Sequence, residues 1–209
     1  MMTPRSEAER IALMPKAEAE AWLVAAFKAG RTPEWDWPFW CRQDQRPPEG
    51  DWRIWFVMAG RGFGKTRMAA EWVRQVAVTT PDACIALVGA SQHEVRAIMV
   101  EGESGLLNVC APEEQPVFEP SLRRITWPNG AQALLYSAAG PDALRGPQHS
   151  HAWCDEIAKW VQGQAAWDNL EMTLRRGKRP RLVATSTPRP VPLVRQLLTG
   201  LGEDPERPG

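Results

Sequence analysis

Residues 59–66 read Ala59-Gly60-Arg61-Gly62-Phe63-Gly64-Lys65-Thr66. Three glycines here let backbone N–H groups turn inward around a polyphosphate, and the helix that follows adds the partial positive charge of its N-terminus. Lys65 is positioned to reach terminal phosphates and Thr66 to hold Mg²⁺. The usual pattern begins with glycine, whereas this chain has Ala59. A second constellation, Trp153-Cys154-Asp155-Glu156, ends an apolar run with two adjacent carboxylates. Beside a bound triphosphate, Asp155 suits a water-mediated hold on Mg²⁺, and Glu156 suits orienting and deprotonating an attacking water. Taken alone, the pair also fits an acidic helix start. A third group, Thr185-Ser186-Thr187, carries hydroxyls to the end of another apolar run, before Pro188. Hydroxyls there lie near the crevice where open α/β sheets bind ligands; a plain strand end before a proline turn is the other reading.

The flanking elements make these groups credible. Residues 54–59 are an apolar run that reads as a buried strand, and residues 67–78 repeat apolar residues at helical spacing. Strand, glycine loop and helix are the setting a phosphate loop requires. Further buried strands are expected at 85–89, 151–155 and 182–185. Helices are expected at 6–29, from Ser91 (a candidate cap) through 100, at 164–175 and at 193–198. Residues 125–127 and 133–137 flank Pro128-Asn129-Gly130 and read as a β-hairpin with a tight turn. Residues 31–50, 111–120 and 138–148 read as irregular. Strands alternating with helices predict an α/β phosphate-loop fold with a mainly parallel central sheet and helices on both faces.

The chain has 209 residues, enough for one large domain, with 25 basic and 25 acidic side chains. A global polyanion-binding surface is therefore not implied, but a local one is compatible with this balance. Residues 175–181, Arg-Arg-Gly-Lys-Arg-Pro-Arg, are such a cluster. They could grip nucleic-acid phosphates or simply stabilise a helix C-terminus. Cys41, Cys84, Cys110 and Cys154 are dispersed and read as reduced thiols. His149 and His151 could pair on a metal, but no third ligand is in view. No run approaches a membrane span and the N-terminus lacks an apolar signal core. Eleven tryptophans against one tyrosine imply that many indoles fill the core.

Three blocks in this order, AGRGFGKTRMAAEWVR, PDALRGPQHSHAWCDEIAKW and LVATSTPRP, resemble the ATPase domain of the large terminase subunit. These are DNA-packaging motors of tailed bacteriophages and gene-transfer agents, and the likeness runs from about Trp37 to Leu198. The resemblance implies an ASCE-type phosphate-loop fold, with a catalytic glutamate on the strand beside the phosphate loop. It implies ATP and Mg²⁺ as ligands, with Gly60, Gly62, Gly64, Lys65 and Thr66 around the phosphates and Thr66 and Asp155 on the metal. It gives Glu156 as the catalytic acid. Arg61 matches an arginine acting in cis on the phosphates, and Arg145 matches one that reaches the neighbouring subunit's ATP. Gln45 resembles the glutamine that reads adenine, with Gln43 as the fallback. Thr185, Ser186 and Thr187 resemble the motif that couples the γ-phosphate to the rest of the motor.

The implied organisation is an N-terminal helix and adenine-side segment over residues 1–50 packed on the core, an ATPase core over 51–200, and a disordered tail over 201–209. The implied partners are double-stranded DNA bound without sequence preference, the portal protein, the small terminase subunit and a homo-oligomeric ring on the procapsid. The implied place is the bacterial host cytoplasm, transiently at the portal, with no membrane partner. The family's C-terminal nuclease domain has no counterpart here, so nuclease activity is not expected of this chain. Two rival readings remain at this stage: a nucleotide-binding packaging relic without turnover, and a small-molecule phosphotransferase. The Asp155-Glu156 pair argues against the second, because a kinase has no use for activating water.

Overall fold

The computed structural model describes residues 6–31 and 33–200. The tail expected to be disordered lies outside them. The chain divides into two compact units, residues 1–46 and 47–209.

In the first unit, the expected helix over 6–29 is two helices, α1 (Glu7–Ala12) and α2 (Lys16–Lys28). Pro15 separates them: it lacks a backbone donor and serves as the N-cap of α2. Ser6 caps α1 by accepting the Glu9 N–H. A short helix α3 (Trp37–Trp40) follows. Arg31 ties this unit together. Its guanidinium donates to Glu7 and Asp36 and lies over the Trp22 and Phe39 rings. Gln45, in a single 3₁₀ turn, is buried, and its Oε1 accepts the Arg42 N–H at 3.1 Å.

The second unit is built on one seven-stranded sheet. Its strands are β1 (Ile54–Met58), β2 (Cys84–Gly89), β3 (Val117–Glu119), β4 (Arg124–Thr126), β5 (Gln132–Ser137), β6 (His151–Cys154) and β7 (Arg181–Ser186), in the order β1-β7-β6-β2-β5-β4-β3. The first five in that order run parallel; β4 and β3 continue antiparallel. The helices are α4 (Lys65–Thr79), α5 (Gln92–Glu94), α6 (Leu106–Val109), α7 (Gly163–Thr173) and α8 (Pro192–Gly200). Alternation along the strands builds two cores. Ile54, Phe56, Leu182, Ala184, Ala152 and Cys154 join Trp167, Leu170, Leu193 and Leu197 of α7 and α8. The residues between them, among them Trp55, Val57, Val183 and Trp153, are buried on the opposite face.

Local departures from expectation have physical causes. Residues 111–120 carry three prolines and three glutamates, which hides β3 in the sequence; pairing with β4 overrides their weak strand propensity. In the hairpin turn only Gly130 takes positive φ, +90°; Asn129 does not. Asn129 instead donates from its amide to the Ala77 and Val78 carbonyls, satisfying the open C-terminal end of α4. Ser91 caps α5 as expected, but residues Val95–Val100 then widen into a π turn in which the Glu101 N–H reaches Arg96 O.

His149 and His151 are not a metal pair. His149 is fully buried between the Tyr136 hydroxyl (3.1 Å) and the Thr173 hydroxyl (2.8 Å), whereas His151 meets Ser150 Oγ and the Trp72 ring. Among the described residues, no group of three metal-ligating side chains occurs, all four cysteines are free thiols, and no helix is long and apolar enough to cross a membrane.

Burial lowers the proton affinity of both histidines from the usual 6.5 to about 4. Such groups favour the folded state fully above the unfolded value, and the gain is lost as pH falls toward the folded one. The urea midpoint is expected to be flat above pH 6.5 and to fall between pH 6.5 and 4, with a shallower fall in His149→Gln. Equal slopes for the two proteins over that interval would contradict this assignment.

Candidate active site

Parallel strands β1, β7 and β6 bring their carboxyl ends to one edge of the sheet. β1 hands over to the glycine loop, with Ala59 N donating to Ser186 O at 3.1 Å. Gly62 and Gly64 sit at φ +78° and +87°, the left-handed region that side chains with a Cβ disfavour. This sharp reversal ends at Gly64, the N-cap of α4, so the first-turn amides of α4 face the loop. Lys65 Nζ donates to the loop carbonyls of Ala59 (2.7 Å) and Gly60 (3.0 Å).

The acid pair stands one strand further away than the sequence implied. β6 is not beside β1; β7 lies between them. The third block of the sequence therefore forms the bridge. Thr185 Oγ1 donates to Asp155 Oδ1 at 2.8 Å and accepts the Glu156 N–H at 3.2 Å. Thr187 gives both its N–H (2.8 Å) and its hydroxyl to Glu156 Oε1. Ser186 is buried and turns its hydroxyl back to Thr187 O. Glu156 adopts φ +48°, an uncommon backbone for a residue with a Cβ, at the point where the chain leaves β6. Trp160 Nε1 donates to Asp155 O, closing this turn from below.

These groups converge on one cleft of about 580 Å³, lined by Gly60, Arg61, Gly62, Gly64, Lys65, Thr66, Asp155, Glu156 and Thr187. Burial raises the proton affinity of the Asp155 carboxyl above the usual value; the Thr185 hydroxyl and the Lys159 and Lys65 charges pull it back. A deeply buried carboxylate with one hydroxyl partner and a neighbouring threonine is a hard oxygen set. It fits a Mg²⁺ ion that keeps waters and phosphate oxygens in its remaining positions.

Other candidates lie elsewhere. Arg145 does not line the cleft. It sits in the loop before β6, largely exposed, with Nε on Asn169 Oδ1 at 3.1 Å and Nη1 near Asp142 at 3.5 Å. Gln45 belongs to the first unit. Lys159, Arg189, Arg67, Phe63, Pro188 and Ser104 line the cleft without having been singled out. Arg189 stands two residues after Thr187 and was legible from that block, whereas Lys159 and Ser104 carry no sequence signal.

Arg67 is braced from inside α4. Its guanidinium bonds Glu71 (2.9 Å), Glu71 bonds Arg74 (3.1 Å), and Arg74 bonds Glu114. The Glu71 side chain is 1% exposed. Removing it leaves two arginines short of their shared carboxylate.

A family model described as "Terminase large subunit, T4likevirus-type, N-terminal" matches residues 56–208. The chain belongs to that family of terminase large-subunit N-terminal domains. Its fold is also that of solved packaging proteins. The large terminase ATPase domain of Thermus phage P74-26 aligns with a TM-score of 0.51 at 18% identity, over 68% of this chain and 61% of that one. A full-length large terminase from a thermophilic bacteriophage, in complex with ADP, aligns with 0.53 at 12%, over 74% and 37%. The N-terminal domain of the bacteriophage phi29 DNA packaging ATPase aligns with 0.52 at 17%, over 74% and 83%. The chain thus spans about three fifths of the Thermus phage domain and under two fifths of the ADP-bound terminase. No curated protein matches significantly.

Glu71→Ala is expected to destabilise the protein by about 2 kcal/mol or more, read as a lowered urea midpoint at pH 7. A change within about 0.5 kcal/mol, the range of ordinary surface substitutions, would show that the brace is energetically idle.

Proposed function

We propose that this chain is the ATP-hydrolysing motor domain of a terminase large subunit that drives double-stranded DNA into a procapsid. The observation that carries the reading is the convergence of Lys65, Asp155, Glu156 and Thr187 on one cleft. The ADP bound by the thermophilic-phage terminase supports a nucleotide there.

The loop amides from Gly60 to Gly64, with Lys65, cradle the triphosphate. Thr66 and Asp155 hold Mg²⁺, which when bound neutralises charge on the phosphate oxygens. Glu156 orients the attacking water and accepts its proton as water displaces ADP from the γ-phosphorus. Both Thr187 bonds converge on Glu156 Oε1, so Oε2 is the oxygen that faces water. Arg61, in the cleft, neutralises charge that develops on the phosphates. Arg145, exposed and outside the cleft, is suited to serve the ATP of a neighbouring subunit in a ring. Gln45 reads the adenine edge through its amide. Thr185, Ser186 and Thr187 couple γ-phosphate loss to the sheet. Duplex DNA, the portal protein and the small terminase subunit are the partners, met in the host cytoplasm at the portal.

Phosphate release by the intact chain, Glu156→Gln and Lys65→Ala, with and without linear duplex DNA, tests this. Glu156→Gln should keep ATP affinity by calorimetry and lose at least about 100-fold in turnover, the scale of a missing general base. Lys65→Ala should lose nucleotide binding itself. Equal turnover in the intact chain and Glu156→Gln would favour a nucleotide-binding relic and remove the glutamate from its role.

A further inference from the structure

The loop between α7 and β7 carries Arg175, Arg176, Lys178 and Arg179 and runs into Arg181, with no acid among them. The first four are exposed. The backbone here is anchored: Arg175 N donates to Thr173 O, Arg176 N to His149 O and Arg181 N to Ser150 O. Gly177, at φ +85°, turns the chain between the two pairs of cations. Arg181 is committed inward, stacked 4.6 Å from the Trp52 ring with Nη2 on Gly50 O. Arg179 has a loose, exposed contact with Asp51 at 3.8 Å. Among the described residues no carboxylate pairs with Arg175, Arg176 or Lys178.

Dipole stabilisation does not account for this cluster. That effect fades within the last helical turn, and α7 ends at Thr173, so Lys178 and Arg179 lie beyond it. Three cations without a counter-charge and a fourth with a loose one repel each other on a fixed backbone unless a polyanion covers them. The exposed residues of the loop include no aromatic ring on which single-stranded bases could stack, which favours a duplex backbone.

We propose that residues 175–179 grip the phosphate backbone of duplex DNA without reading its bases, at the end of β7 opposite the nucleotide cleft. This rests on the packaging reading of the cleft. β7 begins at Arg181 and ends at Ser186, next to Thr187. At about 3.3 Å per residue, roughly 20 Å of buried strand joins the DNA contact to the hydroxyl that holds Glu156. Tension on the loop is therefore delivered along the one strand that touches both acids.

The test uses the full chain and a labelled linear duplex, with affinity followed across salt concentrations. In the variant Arg175→Gln/Arg176→Gln/Lys178→Gln/Arg179→Gln, low-salt affinity should fall at least about tenfold. The slope of log affinity against log salt should shrink by about 3, close to one counterion per lost phosphate contact. Stimulation of phosphate release by DNA should vanish, while basal release and the urea midpoint stay unchanged. Neutralising the exposed Arg10, Lys16, Lys28 and Arg195 instead should leave affinity and slope near the intact values. The inference is overturned if the loop variant binds like the intact chain, if the control loses as much, or if the intact chain fails to bind duplex at low salt. Binding to polyglutamate with none to duplex would overturn it in favour of an acidic protein partner. Failure of the Glu156→Gln comparison with loop-dependent binding intact would sink the hydrolysis reading and leave the DNA contact standing.

Discussion

The structure depends on a cross-strand hydrogen-bond relay at the end of β7. Two threonines, Thr185 and Thr187, each hold one of two adjacent acids that follow β6. Parallel pairing fixes the register, with Cys154 opposite Ala184, so the residues just past each strand end meet. A one-residue slip would turn Thr185 to the opposite face of the sheet. The relay sets the distance from the acids to the glycine loop, because β7 also pairs with β1 and Ser186 O receives the Ala59 N–H.

Electrostatics explain why this edge is made of these residues. Asp155 is deeply buried, and burial alone drives its carboxyl toward the neutral form. The Thr185 hydroxyl and two lysine charges oppose that drift. The cleft otherwise carries a surplus of cationic side chains, with Arg61, Lys65, Arg67, Lys159 and Arg189 facing two acids. That surplus suits a polyphosphate anion. Arg67 gains its fixed position from Glu71, a carboxylate buried inside α4, so part of the cleft's charge geometry is set one helical turn away from it.

Much of this was legible in the sequence. The glycine loop, its strand and its helix follow from local backbone physics, so residues 54–79 form the expected elements with only small shifts at the ends. The apolar runs mark every parallel strand because strands buried on both faces show near-continuous hydrophobicity. What stayed hidden depends on long-range pairing. Nothing in residues 153–156 or 181–187 states that β7 inserts between β1 and β6, so the acid strand was expected next to the glycine loop. β3, flanked by prolines, exists because β4 is there to pair with it. Lys159 reaches the cleft from the 3₁₀ turn after Glu156, a direction set by the left-handed backbone at that residue. Pro15 is the local signal for the split of the first helix, and the helix-forming residues on either side of it mask that signal.

The central claim is that the glycine loop and the two acids serve one triphosphate. A crystal structure with Mg²⁺ and a non-hydrolysable ATP analogue tests it directly. The account predicts the terminal phosphate between Lys65 Nζ and Glu156, with the metal beside Thr66 and Asp155. A nucleotide seated away from this cleft, or a terminal phosphate beyond the reach of either acid, would contradict it.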